Sequence, residues 1–203
     1  MEIDTQEDIK KILQIEGKIR GVFFQTDAVF ILEKEGKEGM AKIKERLAKI
    51  EPSIPFGDEA VATDWYPIGW RVLELLAIKD AFNWTEENFV EMGKAGPKHS
   101  FIMKVLFKYF ISLEKTAQQA PKHWQRHYSI GKMKIIQIDV NASSGRLVFR
   151  LEDFKIHPLF CALLKGYMSQ TISMVTGNQN IEAAETKCMF KGDPYHEFTY
   201  NWQ

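Results

Sequence analysis

The stretch that most constrains this chain lies near its C-terminal end: Glu185-Thr-Lys-Cys188-Met-Phe-Lys-Gly192-Asp193-Pro194-Tyr195-His196-Glu-Phe198. Gly192-Asp193-Pro194 is turn chemistry, since Gly and Asp tolerate left-handed backbone and Pro sets its own φ. It separates residues 181–190 from 195–202, two runs that read as the strands of a hairpin. A metal-ligating side chain stands on each side of the turn, Cys188 before it and His196 after it. Glu185 precedes Cys188 by three residues, and Cys161 opens the apolar segment that leads into the hairpin. Both cysteines of the chain therefore fall in one supersecondary unit. Zinc accepts thiolate, imidazole and carboxylate in a tetrahedral shell. The plainer reading is a pair of buried small hydrophobes, for which Phe160-Cys161-Ala-Leu-Leu is well suited. Strand geometry sets a condition on the metal reading. Residues three apart point to opposite faces, so Glu185 and Cys188 share an ion only across a bulge or a bent strand end.

The segment Cys161-Ala-Leu-Leu-Lys-Gly166-Tyr167-Met-Ser169, then Gly177, Glu185-x-x-Cys188, Gly192-Asp193 and His196-x-Phe198, resembles the 4-vinyl reductase domain. That domain has a Cys opening a Gly-Tyr-x-Ser helix, then Glu-x-x-Cys, Gly-Asp, a further Cys and an aromatic. The resemblance is strongest over residues 130–203. It implies one structural zinc held by Cys161, Glu185, Cys188 and His196, with His standing where the family has Cys. Four protein ligands close the shell, so such a zinc would staple the Cys161 helix to the hairpin and leave catalysis aside. The resemblance further implies a fold shared with haem-based nitric oxide sensors and vesicle-tethering TRAPP subunits. A cavity for small hydrophobic or aromatic ligands goes with it. Candidate lining residues are Trp65, Trp70, Phe101, Trp124 and Tyr128, with His99 as the polar anchor.

At 203 residues the chain is long enough for one sizeable core, and residues 1–203 are expected to form a single domain. Lys plus Arg (27) balances Asp plus Glu (27), so no field of one sign argues for nucleic acid or an anionic membrane surface. The first residues are acidic and polar, unlike a secretory signal, and no apolar run reaches a membrane span. A reducing cytoplasm is the expected setting, with both cysteines as thiols.

Taken in order, Thr5 and Asp8 suggest an N-cap ahead of an Ile9, Ile12, Leu13 stripe. Gly17 and Gly21 bracket a short extended piece. Residues 22–35 and 37–50 read as two helices punctuated by Gly36, and 51–64 as a loop. Pro67 is expected in the first turn of the next helix, whose buried face carries Trp70, Leu73, Leu76 and Ala77. Thr85 should cap a short helix ending near Gly93 and Gly96. Pro97 and His99 should then open an aromatic helix over residues 101–113, and residues 121–128 form a short helix or turn. Residues 132–140 and 146–151 read as a hairpin, and Pro158 starts the Cys161 helix, which stops before Gly177. The fold class is α+β: a helical first part packed on about four antiparallel strands, ending in hairpin, helix, hairpin.

Neither a phosphate-cradling glycine loop nor a Gly-x-Ser-x-Gly elbow is present, and no catalytic residue stands out. His123 and His127 share a helical face, which a solvated helix explains as well as a metal does. His99 is the only residue that suggests haem. The expected function is binding or sensing of a small hydrophobic ligand around a structural zinc. A homodimeric scaffold without a ligand is the main alternative, with a tetrapyrrole-related enzyme or a haem sensor behind it. A homodimer through the helical part is expected in either case.

Overall fold

A computed structural model describes residues 5–99, 112–141 and 144–203. The chain divides into two compact units, Met1–Met92 and Gly93–Gln203.

In the first unit, helix α1 (Gln6–Leu13) starts where the Thr5 hydroxyl accepts the Asp8 N–H, and its inner stripe is Ile9 and Ile12. The expected extended piece is strand β1 (Lys18–Arg20), paired antiparallel with β2 (Trp65–Pro67). Pro67 therefore ends a strand and stands just before helix α3 (Ile68–Phe82) rather than inside its first turn. Edge pairing with β1 holds Trp65 to Pro67 extended. Between these elements runs α2 (Val22–Ile50), broken at Gly36, whose φ of 70° is left-handed, as the glycine punctuation anticipates. Helix α3 is buried on nearly every side from Ile68 to Ile78, with Trp70 the half-buried exception. Asn83 closes it in the left-handed conformation.

Helix α4 (Glu86–His99) crosses from the first unit into the second. It continues past Gly93 and Gly96, which are close-approach sites rather than stops. A Cβ on Gly93 would lie 2.2 Å from the Leu163 carbonyl oxygen, and one on Gly96 would sit 3.0 Å from the Tyr167 ring. His99 belongs to this helix as its last described residue. The aromatic helix expected over 101–113, Phe101 included, lies outside the described residues apart from its end.

The second unit holds α5 (Leu113–His127), which absorbs the predicted 121–128 piece into one longer helix capped by Ser112. Strands β3 (Lys132–Val140) and β4 (Gly145–Glu152) form the expected hairpin, and α6 (Pro158–Thr176) ends on left-handed Gly177. Strands β5 (Ile181–Lys187) and β6 (His196–Trp202) complete an antiparallel sheet in the order β3-β4-β6-β5. The α+β expectation holds. Register places Leu147, Phe149 and Leu151 beside Tyr200, Phe198 and His196, all buried, so these alternate residues share the covered face. Arg150 and Glu197, opposite each other on the other face, form a 2.8 Å ion pair. Among the described residues, no helix is long and apolar enough to cross a membrane.

Candidate metal centre

The condition set by strand geometry is met at the end of β5. Pairing with β6 slips between Glu185 and Lys187, and the strand stops at Lys187. The chain then turns through Met189–Lys191 to Gly192, whose φ of 97° is left-handed. Asp193 locks the loop from both sides. Its carboxylate accepts the Cys188 N–H at 2.8 Å, and its own N–H donates to the Cys188 carbonyl at 3.2 Å. The slip and the turn together bring Glu185 and Cys188 to one place.

His196, the first residue of β6, is 1 % exposed and faces that place through Nδ1. Cys161 reaches it from the first turn of α6, where Pro158 starts the helix and His157 caps it. Nδ1 of His196 lies 2.8 Å from Glu185 Oε1 and 3.6 Å from Cys161 Sγ. One ligand atom from each of Cys161, Glu185, Cys188 and His196 lies within 4.8 Å of every other. A tetrahedral zinc shell separates its ligand atoms by roughly 3.3–3.8 Å, so modest closure suffices.

The other ring nitrogen decides the tautomer. His196 Nε2 lies 3.2 Å from the Phe154 carbonyl, which only accepts, so the proton belongs on Nε2. That hydrogen bond is what a zinc-bound imidazole requires of its outer nitrogen. Nδ1 lies 2.8 Å from a carboxylate oxygen, so between the two stands either a proton that His196 donates to Glu185 or a shared cation. Phe154 is itself held rigidly. Its ring makes edge contacts with Trp124, Tyr128 and Phe160 at centroid distances of 5.0, 5.6 and 5.5 Å.

Electrostatics agree. Burial pushes the Cys161 thiol far up, and the neighbouring Glu185 and Cys188 add to it. Cys188 is also raised by burial, against the N–H groups of Phe190 and Lys191, which point at its sulfur and favour thiolate. Burial acts to raise Glu185, but hydrogen bonds from His196, Cys188 and Cys161 leave its carboxyl below the ordinary value. Two thiols and a carboxylate in one half-buried space resist ionising together unless a positive ion is shared.

The ligand-lining residues inferred from the sequence are distributed differently. Trp65 and Trp70 belong to the first unit, where Arg20 covers the Trp65 ring and Trp70 tilts against Tyr66. Trp124 and Tyr128 belong to the second and stack on each other at 4.0 Å, with the Trp124 indole donating to the Ile130 carbonyl. Phe101 and the side chain of His99 lie outside the described residues. His123 and His127 stack at 5.5 Å, as their spacing implies, and burial lowers the His123 pKa. A pocket of about 10 Å³, lined by Leu151, Phe160, Leu164 and Phe198 among others, adjoins Cys161 and His196. It is water-sized.

Two features escape sequence reading. Tyr200, on the covered face of β6, has a fully buried hydroxyl with no hydrogen-bond partner among the described residues. Burial raises its pKa well above the ordinary range, with Glu185 adding to the effect. A tyrosine alternating with Phe198 and Trp202 carries no sign of this in the sequence. The second is a buried charge cluster in the first unit, taken up below. Its one sequence signal is the pair Arg71 and Glu74 inside an otherwise apolar helix.

No protein-family model matches the sequence, and no curated protein does. The fold does have solved counterparts. An H-NOX protein from S. oneidensis in its Fe(II)NO ligation state superposes with a TM-score of 0.68 at 13 % identity, over 91 % of this chain and 99 % of that one. An H-NOX mutant from K. algicida gives 0.62 at 13 % identity, over 91 % and 97 %. The phenol-responsive sensory domain of the transcription activator PoxR, with phenol, is more distant at 0.48 and 18 % identity, over 65 % and 69 %. The chain has the fold of H-NOX domains.

Proposed function

We propose that this protein is a small-molecule binding or sensing domain whose C-terminal unit is held together by a structural zinc ion on Cys161, Glu185, Cys188 and His196. One observation carries the zinc: four ligand atoms of the right types within 4.8 Å, with the His196 tautomer set by the Phe154 carbonyl. The ion would fasten α6 to the β5–β6 hairpin and so contribute directly to folding. Native mass spectrometry of the full chain, purified without chelator, should find one zinc per chain. Substoichiometric metal that cannot be restored on refolding would refute the assignment.

The sensing half of the reading is supported by the fold shared with H-NOX domains, one of them solved with NO on its iron. The buried Tyr200 hydroxyl also supports it, as a polar handle inside an apolar surrounding of the kind that orients a bound ligand. Trp124 and Tyr128 of the second unit remain proposed lining residues, and a homodimer the proposed assembly, to be tested by sedimentation. A panel of aromatic compounds should include some that raise the melting temperature, as binding to the native state must. Tyr200→Phe should abolish that shift. A wild-type protein indifferent to the whole panel would instead favour the scaffold reading.

The haem-sensor alternative rests on His99, whose side chain lies outside the described residues. His196 is engaged by Glu185 and Phe154, His157 caps α6, and His123 and His127 stack on each other.

A further inference from the structure

In the first unit, α2 and α3 bury three charged side chains together. Asp27 is 5 % exposed, Arg71 2 % and Glu74 0 %. A single guanidinium nitrogen, Nη1 of Arg71, meets both carboxylates: Oδ2 of Asp27, and Oε2 of Glu74 at 2.6 Å. Arg71 Nε and Glu74 Oε1 have no hydrogen-bond partner among the described residues, and Asp27 Oδ2 has none beyond its ion pair with Arg71. One positive charge thus faces two potential negative charges in a space that water does not reach, and one carboxylate oxygen has nothing to hold.

We propose that this cluster is a proton-linked switch: Glu74 carries a proton in the folded protein at slightly acidic pH and gives it up as the pH rises past neutrality, loosening the α2–α3 packing. The charge count supplies the reason. With Asp27 and Arg71 ionised as a pair, a neutral Glu74 leaves the cluster uncharged, whereas an ionised Glu74 leaves a net negative charge in the core. Glu74 is the member to protonate because it is the most deeply buried and its Oε1 lacks a donor. Among the described residues no other charge than Arg71 acts on it, and β2 brings only the Tyr66 ring, which packs on Phe24. Beside Asp27, α2 presents the Phe24 ring, 6.0 Å from the Arg71 guanidinium. From α1 the buried residues are Ile9 and Ile12, from β1 Ile19. Lys10, Lys11 and Lys18 are exposed, and Arg20 lies over Trp65. Burial, opposed in part by Arg71, pushes Glu74 from 4.5 to about 7. The sign follows from linkage. The folded state binds the proton more tightly than the unfolded state, so stability is full below about pH 4.5 and falls as the pH climbs to about 7.

The test is thermal unfolding of the full chain between pH 5 and pH 8.5, for wild type and Glu74→Gln, with an infrared pH titration of the wild type read at the protonated-carboxyl band. The wild-type melting temperature should drop by on the order of 5–10 °C across the range, and Glu74→Gln should remove most of that drop. The infrared band should be present at pH 5.5 and vanish by pH 8.5. In Asp27→Asn, which leaves the guanidinium to Glu74 alone, the band should disappear at lower pH. A Glu74→Gln curve parallel to wild type overturns the proposal. So does the absence of a carboxyl band at pH 5.5, a result that stands even if the variant fails to fold.

Discussion

The two units each bury more acidic groups than their own cations neutralise, and they differ in what makes up the deficit. In the N-terminal unit, Asp27 and Glu74 share one guanidinium, every member comes from a regular helix, and the missing charge is that of a proton. In the C-terminal unit, Cys161, Glu185, Cys188 and His196 come from a helix start, a strand end, a tight turn and a strand start, and the proposed cation is zinc. Ligand chemistry accounts for part of this contrast, because thiolate and imidazole select a borderline metal. Backbone accounts for the rest. A regular helix brings together only residues three or four apart, as it does Arg71 and Glu74, while a slipped strand and a left-handed glycine can aim four groups at one point. A buried excess of charge is thus insufficient to define a metal site; convergence is the second requirement.

The contrast can be broken most severely at the sulfurs. Cys188→Ser, or exhaustive chelation of the wild type, should abolish metal binding and unfold the C-terminal unit, since structural zinc in small domains is worth about 10–16 kcal/mol of apparent binding energy. Circular dichroism of the full chain should show the sheet signal lost together with the helical signal of α5 and α6, while that of α1 to α3 is retained. If the sheet survives chelation, the unit needs no ion and the two clusters are less different than they look.

His196 gives the next effect in size. His196→Ala should cost more in zinc affinity than the about 10–100-fold typical of an outer-shell change, while His196→Cys should keep the metal. Competitive titration with a chromophoric chelator measures both. Equal affinities for wild type and His196→Ala would remove His196 from the shell.

Glu74→Gln probes the other side of the comparison. A carboxyl displaced from 4.5 to about 7 corresponds to ~3 kcal/mol of pH-dependent stability. Denaturant midpoints at pH 5 and pH 8.5 should therefore differ in the wild type and nearly coincide in the variant. Zinc content should not change in this variant. If it does, the clusters are not independent.

The smallest effect is expected at Asp193. Asp193→Ala removes the acceptor for the Cys188 N–H and leaves that donor without its partner, so zinc affinity should fall by about 10–100-fold with the fold intact. An unchanged affinity would mean that Gly192 alone positions the turn.

What could be read from residue order was whatever depends on near neighbours. The Thr5 cap, the Gly36 break, the β3–β4 hairpin and the span of α6 all follow from propensity and periodicity within a few residues. The four clustered side chains were legible too, because cysteine and histidine are rare in this chain and Glu185 stands in a Glu-x-x-Cys spacing just before the turn. Tertiary structure decided the rest. Pro67 ends a strand because β1, more than forty residues earlier, pairs with it. Helix α4 runs through two glycines because Leu163 and Tyr167 need the room their missing side chains leave. The slip between Glu185 and Lys187 exists only in the register of β5 against β6, and the Nε2 proton of His196 is set by a carbonyl 42 residues away. Asp27 meets Arg71 only when two helices pack. Local sequence fixes backbone preference, but the burial and pairing that set charge, tautomer and register arise between segments far apart in the chain.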